Sequence, residues 1–186
     1  VVHWLAEGVP AFGLTNTSRE GRYRIEKEIL SDPHRDTVLQ QVRFVPLQGK
    51  LSDYHVYVLL APHLGNRGDG NTGWVGEVAG VPLLFAQREG SSLALGSSVP
   101  WLRRSAGYVG TSDGWQDLRA HGHLTGEHAL AEDGNVALVG EIDLLAGQGS
   151  FVLALGFGPD PDTADHDVTG SLHAGMLGSI CRIESA

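Results

Sequence analysis

Short extended runs separated by turn residues at intervals of roughly eight to twelve positions limit what this chain can become. The clearest run starts after Gly21. Tyr23, Ile25, Lys27 and Ile29 alternate with Arg22, Arg24, Glu26 and Glu28, the period-two pattern of a half-buried strand. Ser31-Asp32-Pro33 stops it with turn chemistry, and a second strand over 37–45, ended by Pro46, makes an antiparallel pair with the first. Residues 54–61 (YHVYVLLA) are apolar on both faces and read as a central, doubly buried strand. Strands over 74–78, 81–87 and 91–97 follow, separated by Gly80 and by Glu89-Gly90. Two short extended segments, 3–7 and 10–17, precede all of these. So many strands in one sheet would leave a large face open, which predicts a two-layered sandwich.

The second half reads less regularly. Residues 126–131 and 135–143 look like a hairpin about Glu132-Asp133-Gly134, and 151–157 is a strongly apolar strand. Residues 159–167 (PDPDTADHD) read as an acidic loop, 172–177 as a helical turn, and 175–186 as a tail of unclear role beyond a single domain spanning 1–174. Gly accounts for 26 of 186 residues, which suits many tight turns.

Totals exclude several functions. With a net charge of −9 and 13 scattered Lys and Arg, the chain lacks the clustered cations that phosphate neutralisation needs, so nucleic acid is not a partner. One cysteine, Cys181, excludes an internal disulfide framework and a cysteine-rich zinc site. No window is long and apolar enough for a membrane helix. The opening residues VVHWL read as strand interior rather than as a leader.

Individual motifs carry little chemistry. Gly68, Gly70 and Gly73 match G-x-G-x-x-G, but a strand follows where a dinucleotide site needs a helix. Asp160, Asp162, Asp165 and Asp167 share one segment. They have oxygens enough for calcium, yet Ala164 stands where the helix-loop-helix pattern needs a ligand, so a solvated loop is favoured. His121 and His123 would share one side of a strand but diverge on a helix, and His34, His55 and His63 stand isolated in sequence. No G-x-S-x-G is present, and sequence cannot pair Glu77, Asp113, Asp117 or Glu141 across a cleft as glycoside hydrolysis requires.

The segment 101–122 (WLRRSAGYVGTSDGWQDLRAHG) shows little strand alternation and holds Trp101, Trp115, Asp113 and Asp117. It has two readings. It is a crossover loop whose tryptophan plugs the core, or it is a sugar-facing edge in which Trp115 stacks on a pyranose and Asp117 accepts hydroxyl bonds, with Trp101 and Asp113 nearby.

Several stretches in fixed order resemble a known family. They are GRYRIEKEI (21–29) with Asp32-Pro33 and QVRF (41–44), YVLLAPHL (57–64), SAGYVGTSDGWQDL (105–118), and EDGNVAL with VGEIDL (132–144). Together they resemble the N-terminal domain of bacterial glucoamylases and glucodextranases, family 15 of the glycoside hydrolases. The resemblance implies an all-β antiparallel supersandwich of the galactose mutarotase type with one or two short helices. It implies a partner as well, an (α/α)6 barrel carrying the two catalytic glutamates of an inverting glucosidase. No catalytic residue can be carried over, because this chain holds no such barrel. The family's domain also starts with an additional stretch before the position of Val1, so open sheet edges and a homodimer through them are expected. Three functions follow in order: a non-catalytic accessory domain of an α-glucan hydrolase, a free carbohydrate-binding protein, and an aldose-1-epimerase-like enzyme resting on a His and a Glu.

Overall fold

In the computed structural model of the chain, residues 2–5 and 10–183 are described, with side chains described as far as Ala174. Twelve strands and two α-helices follow in the order β1 (Val2–Trp4), β2 (Ala11–Thr17), β3 (Tyr23–Ser31), β4 (Thr37–Pro46), β5 (Val56–Leu60), β6 (Asn71–Val78), β7 (Val81–Arg88), β8 (Ser91–Ser97), β9 (Trp101–Tyr108), α1 (Gly114–His121), β10 (Leu130–Gly134), β11 (Val136–Ile142), β12 (Ser150–Gly158) and α2 (Pro161–Ile183). Nine strands form one sheet in the order β1-β2-β3-β4-β12-β8-β7-β6-β10, and three form a second in the order β5-β11-β9. Every pairing is antiparallel.

Turn chemistry sets the registers. Val78 faces Val81 across Ala79-Gly80, and Arg88 faces Ser91 across Glu89-Gly90. All four turn residues have positive φ, between 43° and 81°. Two-residue hairpins with φ above zero at both central positions match the right-handed twist of the flanking strands, and glycine at the second position accepts that geometry without strain.

Strand alternation then sorts side chains into two cores. Val42, Leu84, Ala86, Leu93, Leu95, Phe151 and Leu153 of the large sheet meet Ala106, Val136, Leu138 and Ile142 of the small one. On the opposite face of the large sheet, Leu39, Leu83, Phe85, Ala94 and Ala154 meet Ala164 and Val168 of α2. Leu83 and Leu84 are adjacent in sequence, point to opposite faces and are both fully buried. Each contributes roughly 1.5–3 kcal/mol by area removed from water. The helix sits close to the strands. A Cβ added to Gly96 would lie 2.8 Å from Val168, and one added to Gly156 would lie 2.6 Å from the Ala164 carbonyl. The sandwich is also closed along one side. Val75 N–H donates to Ala129 O and Ala106 N–H to His128 O, so residues 128–129 bridge β6 of the large sheet to β9 of the small one.

The all-β antiparallel architecture agrees with the sequence reading, and several local expectations need correction. Segment 101–122 is a strand and a helix rather than a loop. Its alternation is masked by a register shift opposite Glu141 and Ile142 and by Arg104, which donates to the carbonyls of Gly76 and Leu83. Residues 130–142 do not form a hairpin: β10 pairs with β6 and β11 with β5 and β9. The chain changes sheets at Asp133-Gly134 instead of reversing within one. β5 is the outer strand of the small sheet, with Leu59 45% exposed, rather than a central one.

The acidic segment is no loop. Asp160 Oδ1 accepts from the Thr163 amide at 2.8 Å and Pro161 opens α2, the arrangement in which a capping carboxylate and a proline with preset φ start a helix. The helix absorbs the expected turn at 172–177 and continues through Ile183, where a tail was expected. One helix is short, as anticipated; the other is 23 residues long.

Candidate functional site

The outer face of the small sheet carries helix α1 and the hydrogen-bonded loop that follows it. Helix α1 packs there through Gly114, whose Cα hydrogen faces the Val139 side chain so closely that a Cβ would lie 2.6 Å away. Asp113 caps the helix: its Oδ1 accepts from the Gln116 amide at 2.9 Å, and its Oδ2 accepts from the Gly110 amide. Gly122 ends the helix in the left-handed conformation, its N–H bonded to Leu118 O, as C-terminal glycines commonly do.

Asp117 then folds the following loop back. Oδ1 accepts from the Thr125 hydroxyl at 2.6 Å and pairs with His121 Nδ1 at 2.8 Å. Oδ2 accepts the amides of Thr125 at 2.6 Å and Gly126 at 2.9 Å. Burial alone would raise its pKa, but the Thr125 hydroxyl, the two amides and His121 outweigh burial and hold the carboxyl well below the usual range. Leu124, in the same loop, is buried.

Between helix and loop lies a cleft of ≈ 410 Å³ whose walls include Ser105, Ser112, Gln116, His121, Thr125 and His128. The four residues singled out from sequence separate here. Asp113 and Asp117 line the cleft, with their carboxylates committed to the backbone and to His121. Trp115 is 59% exposed and lies outside the cleft wall. Trp101 belongs to the sheet interface: its ring covers Gly140, and its Nε1 donates to Pro82 O at 3.2 Å.

One constellation was missed. Glu141, buried on β11, meets His55 Nδ1 at 2.8 Å. Tyr57 stands directly across from Glu141 in the β5–β11 register. Its hydroxyl is buried beside the Glu141 carboxylate and the Leu124 backbone, and burial first, then the Glu141 charge, pushes its pKa up. His55 looked isolated because its partner lies 86 residues away; the only sequence signal was an ionisable residue, Glu141, inside an apolar run.

The remaining motifs resolve into structure. Asn71 organises the glycine-rich loop, donating to the carbonyls of Arg67, Gly68 and Asp69 and accepting from the Leu64 amide. His123 Nδ1 meets His121 O, and His63 Nε2 meets Asn135 Oδ1. Asp32 fixes α2 to the β3–β4 turn by accepting from Ser171 Oγ at 2.7 Å and pairing with Arg35 at 3.2 Å. Burial would raise the Asp32 pKa, and the bonds from Ser171, the His34 amide and Arg35 lower it overall. Among the described residues, no three His, Cys, Asp or Glu side chains come together as a metal would need. Of the four aspartates once considered for calcium, Asp160 caps α2 and Asp167 accepts the Asp36 amide at 3.2 Å. Asp162 and Asp165 lie on the first turns of the helix.

Comparison with known proteins places this architecture. The chain is 35% identical over 153 residues to a glucoamylase from Clostridium sp. (strain G0005), a match covering 82% of this chain and 22% of that protein. The crystal structure of a bacterial glucoamylase complexed with acarbose superposes with a TM-score of 0.92 at 30% identity, covering 96% of this chain and 26% of that one. The chain thus spans about a quarter of the length of these relatives, and the catalytic domain lies outside it. Residues 1–179 match the family model described as glucodextranase, domain N, and the chain belongs to that family.

Proposed function

We propose that this chain is the non-catalytic N-terminal accessory domain of a glucoamylase- or glucodextranase-like α-glucan hydrolase, supporting an (α/α)6 catalytic barrel. The observation that carries the reading is a match over nearly the whole chain to only about a quarter of a glucoamylase. The disposition of carboxylates agrees. Asp113, Asp117, Asp32 and Glu141 are each engaged by internal donors or by His55, whereas glycoside hydrolysis requires a pair of carboxyl groups free to act on substrate across a cleft. The test is glucose release. The isolated chain should release none from starch or dextran, whereas the longer protein containing it should; hydrolysis by the isolated chain would overturn the reading.

A second role, contact with α-glucan, is favoured by one feature. Trp115 offers an exposed ring on the surface of α1, and aromatic faces stack on pyranose rings. Heat on titration with maltose or isomaltose that disappears in Trp115→Ala would support it. Among the described residues β1 and β5 end their sheets on the side that residues 128–129 do not close, and these edges also offer a route to a homodimer, which sedimentation at high concentration would reveal as a doubled mass.

A further inference from the structure

We infer that the cleft between α1 and the 122–128 loop is a binding site for one neutral pyranose unit, either a free sugar or the end residue of a glucan. The ligand class rests on the accessory-domain reading. The site itself is separate from the exposed Trp115 ring, which lies outside the cleft wall.

Internal bonds hold both walls. Helix α1 starts on the Asp113 cap and is seated against Val139 through Gly114. The facing loop is tied at three places. Asp117 accepts the amides of Thr125 and Gly126, Leu124 is buried, and the His128 amide donates to Ser105 Oγ on β9 at 2.9 Å. A frame formed before the ligand arrives loses little ordering entropy on binding. The enclosed ≈ 410 Å³ falls within the roughly 300–1,000 Å³ of small-molecule sites.

Helical spacing brings Asp113, Gln116, Asp117 and His121 to the cleft side of α1. The charged groups among them are already engaged. Asp117 accepts two bonds at each oxygen, and Asp113 accepts one at each. A cation finds no cluster of ligands there among the described residues, and the two fixed negative charges oppose an anion. Neutral groups remain. The Gln116 carboxamide, and the His128 ring lying over Gly126, take no partner among the described residues. A carboxylate can only accept, so His121 Nδ1 carries the proton that faces Asp117, and Nε2 of the neutral ring is left as an acceptor. Ser112 Oγ accepts the Tyr108 amide at 3.1 Å and keeps its own proton to donate. Uncharged donors and acceptors around one hollow suit vicinal hydroxyls, each of which both donates and accepts.

Hydrogen exchange read by mass spectrometry on the full-length protein, titrated with D-glucose, tests this. The amides of Thr125 and Gly126, bonded to Asp117, report opening of the cleft. Opening must release the sugar, so their exchange slows by 1 + c/Kd, with c the free sugar concentration, or about tenfold at ten times Kd. Methyl α-D-glucoside, its anomeric oxygen blocked as in a chain-end residue, is titrated in parallel. Protection by both sugars admits a glucan end, and protection by glucose alone assigns the site to free sugar. Gln116→Ala should raise the half-maximal concentration about 3–10-fold; an unchanged value would move the sugar out of this cleft and overturn the inference. Unaltered exchange over 122–128 with either sugar at about 100 mM, where even millimolar binding saturates, would also overturn it. So would equal protection of this loop by sodium sulfate, or slowing spread evenly into α2. Starch hydrolysis by the same preparation keeps the two readings apart. Hydrolysis with an unresponsive cleft sinks only this inference, and a responsive cleft without hydrolysis sinks only the accessory-domain reading.

Discussion

Asp117→Asn tests whether one carboxylate holds the loop over the small sheet. The native anion accepts four bonds, from Thr125 twice, Gly126 and His121. The amide of asparagine keeps one acceptor oxygen and turns a donor toward groups that are themselves donors, so about two of the four bonds are lost. Hydrogen bonds to charged acceptors contribute about 1.5–3 kcal/mol each. The side chain is 17% exposed, and solvent screening places the sum near the low end, about 2–3 kcal/mol. For a domain of this size that lowers Tm by roughly 4–12 °C.

The pH dependence has a defined sign. The folded carboxyl titrates below its ordinary value, so its stabilisation is fully present above the unfolded pKa near ~3.9 and fades only as pH falls below that toward the folded value. Thermal unfolding of both proteins from pH 7 down to pH 3 measures the difference, and hydrogen exchange of residues 122–128 localises it. A variant within about 0.5 kcal/mol of the native chain at pH 7, or a difference that vanishes between pH 7 and pH 5, would refute the argument.

Four further outcomes are expected. Ser171→Ala removes the hydroxyl donor to buried Asp32 and should destabilise by about 1–2 kcal/mol in urea titration, with an unchanged m-value. Leu84→Ala, at a fully buried position between the sheets, should cost about 2–5 kcal/mol in the same titration. Gly156→Val drives a side chain into the Ala164 carbonyl and Val168, and should slow or abolish folding, read as loss of the cooperative transition or a drop of at least about 2 kcal/mol. Trp115→Ala, on an exposed helical face, should change stability by less than about 0.5 kcal/mol, so any loss of glucan binding would be a surface effect.

Strands whose two faces meet different surroundings were legible in sequence. β3 could be read from Tyr23 to Ile29 because its residues alternate, and the β6–β7 and β7–β8 hairpins from Gly80 and Glu89-Gly90. Other elements were hidden for identifiable reasons. In β9, a register shift and an inward arginine satisfied by two carbonyls break the period. The Asp133-Gly134 pair looked like a hairpin turn, because local chemistry cannot say which strand lies beyond it. In α2, four aspartates suggested a solvated loop, yet Asp160-Pro161 is itself a helix-start signal, and acidic residues near a helix N-terminus are favoured by its dipole. Of the candidate site, sequence located the segment but not the roles. Asp113 and Asp117 proved to be a cap and a loop anchor, and the Glu141–His55 pair depends on a pairing between strands far apart in the chain.

The seat of α2 shifts evolutionary constraint onto positions that contribute almost no atoms. Where Gly96 and Gly156 stand, the helix occupies the volume a side chain would take, so even alanine must displace a neighbour. A saturation library should therefore count these bare backbone positions among its unforgiving sites, while bulky residues such as Trp115 accept replacement freely.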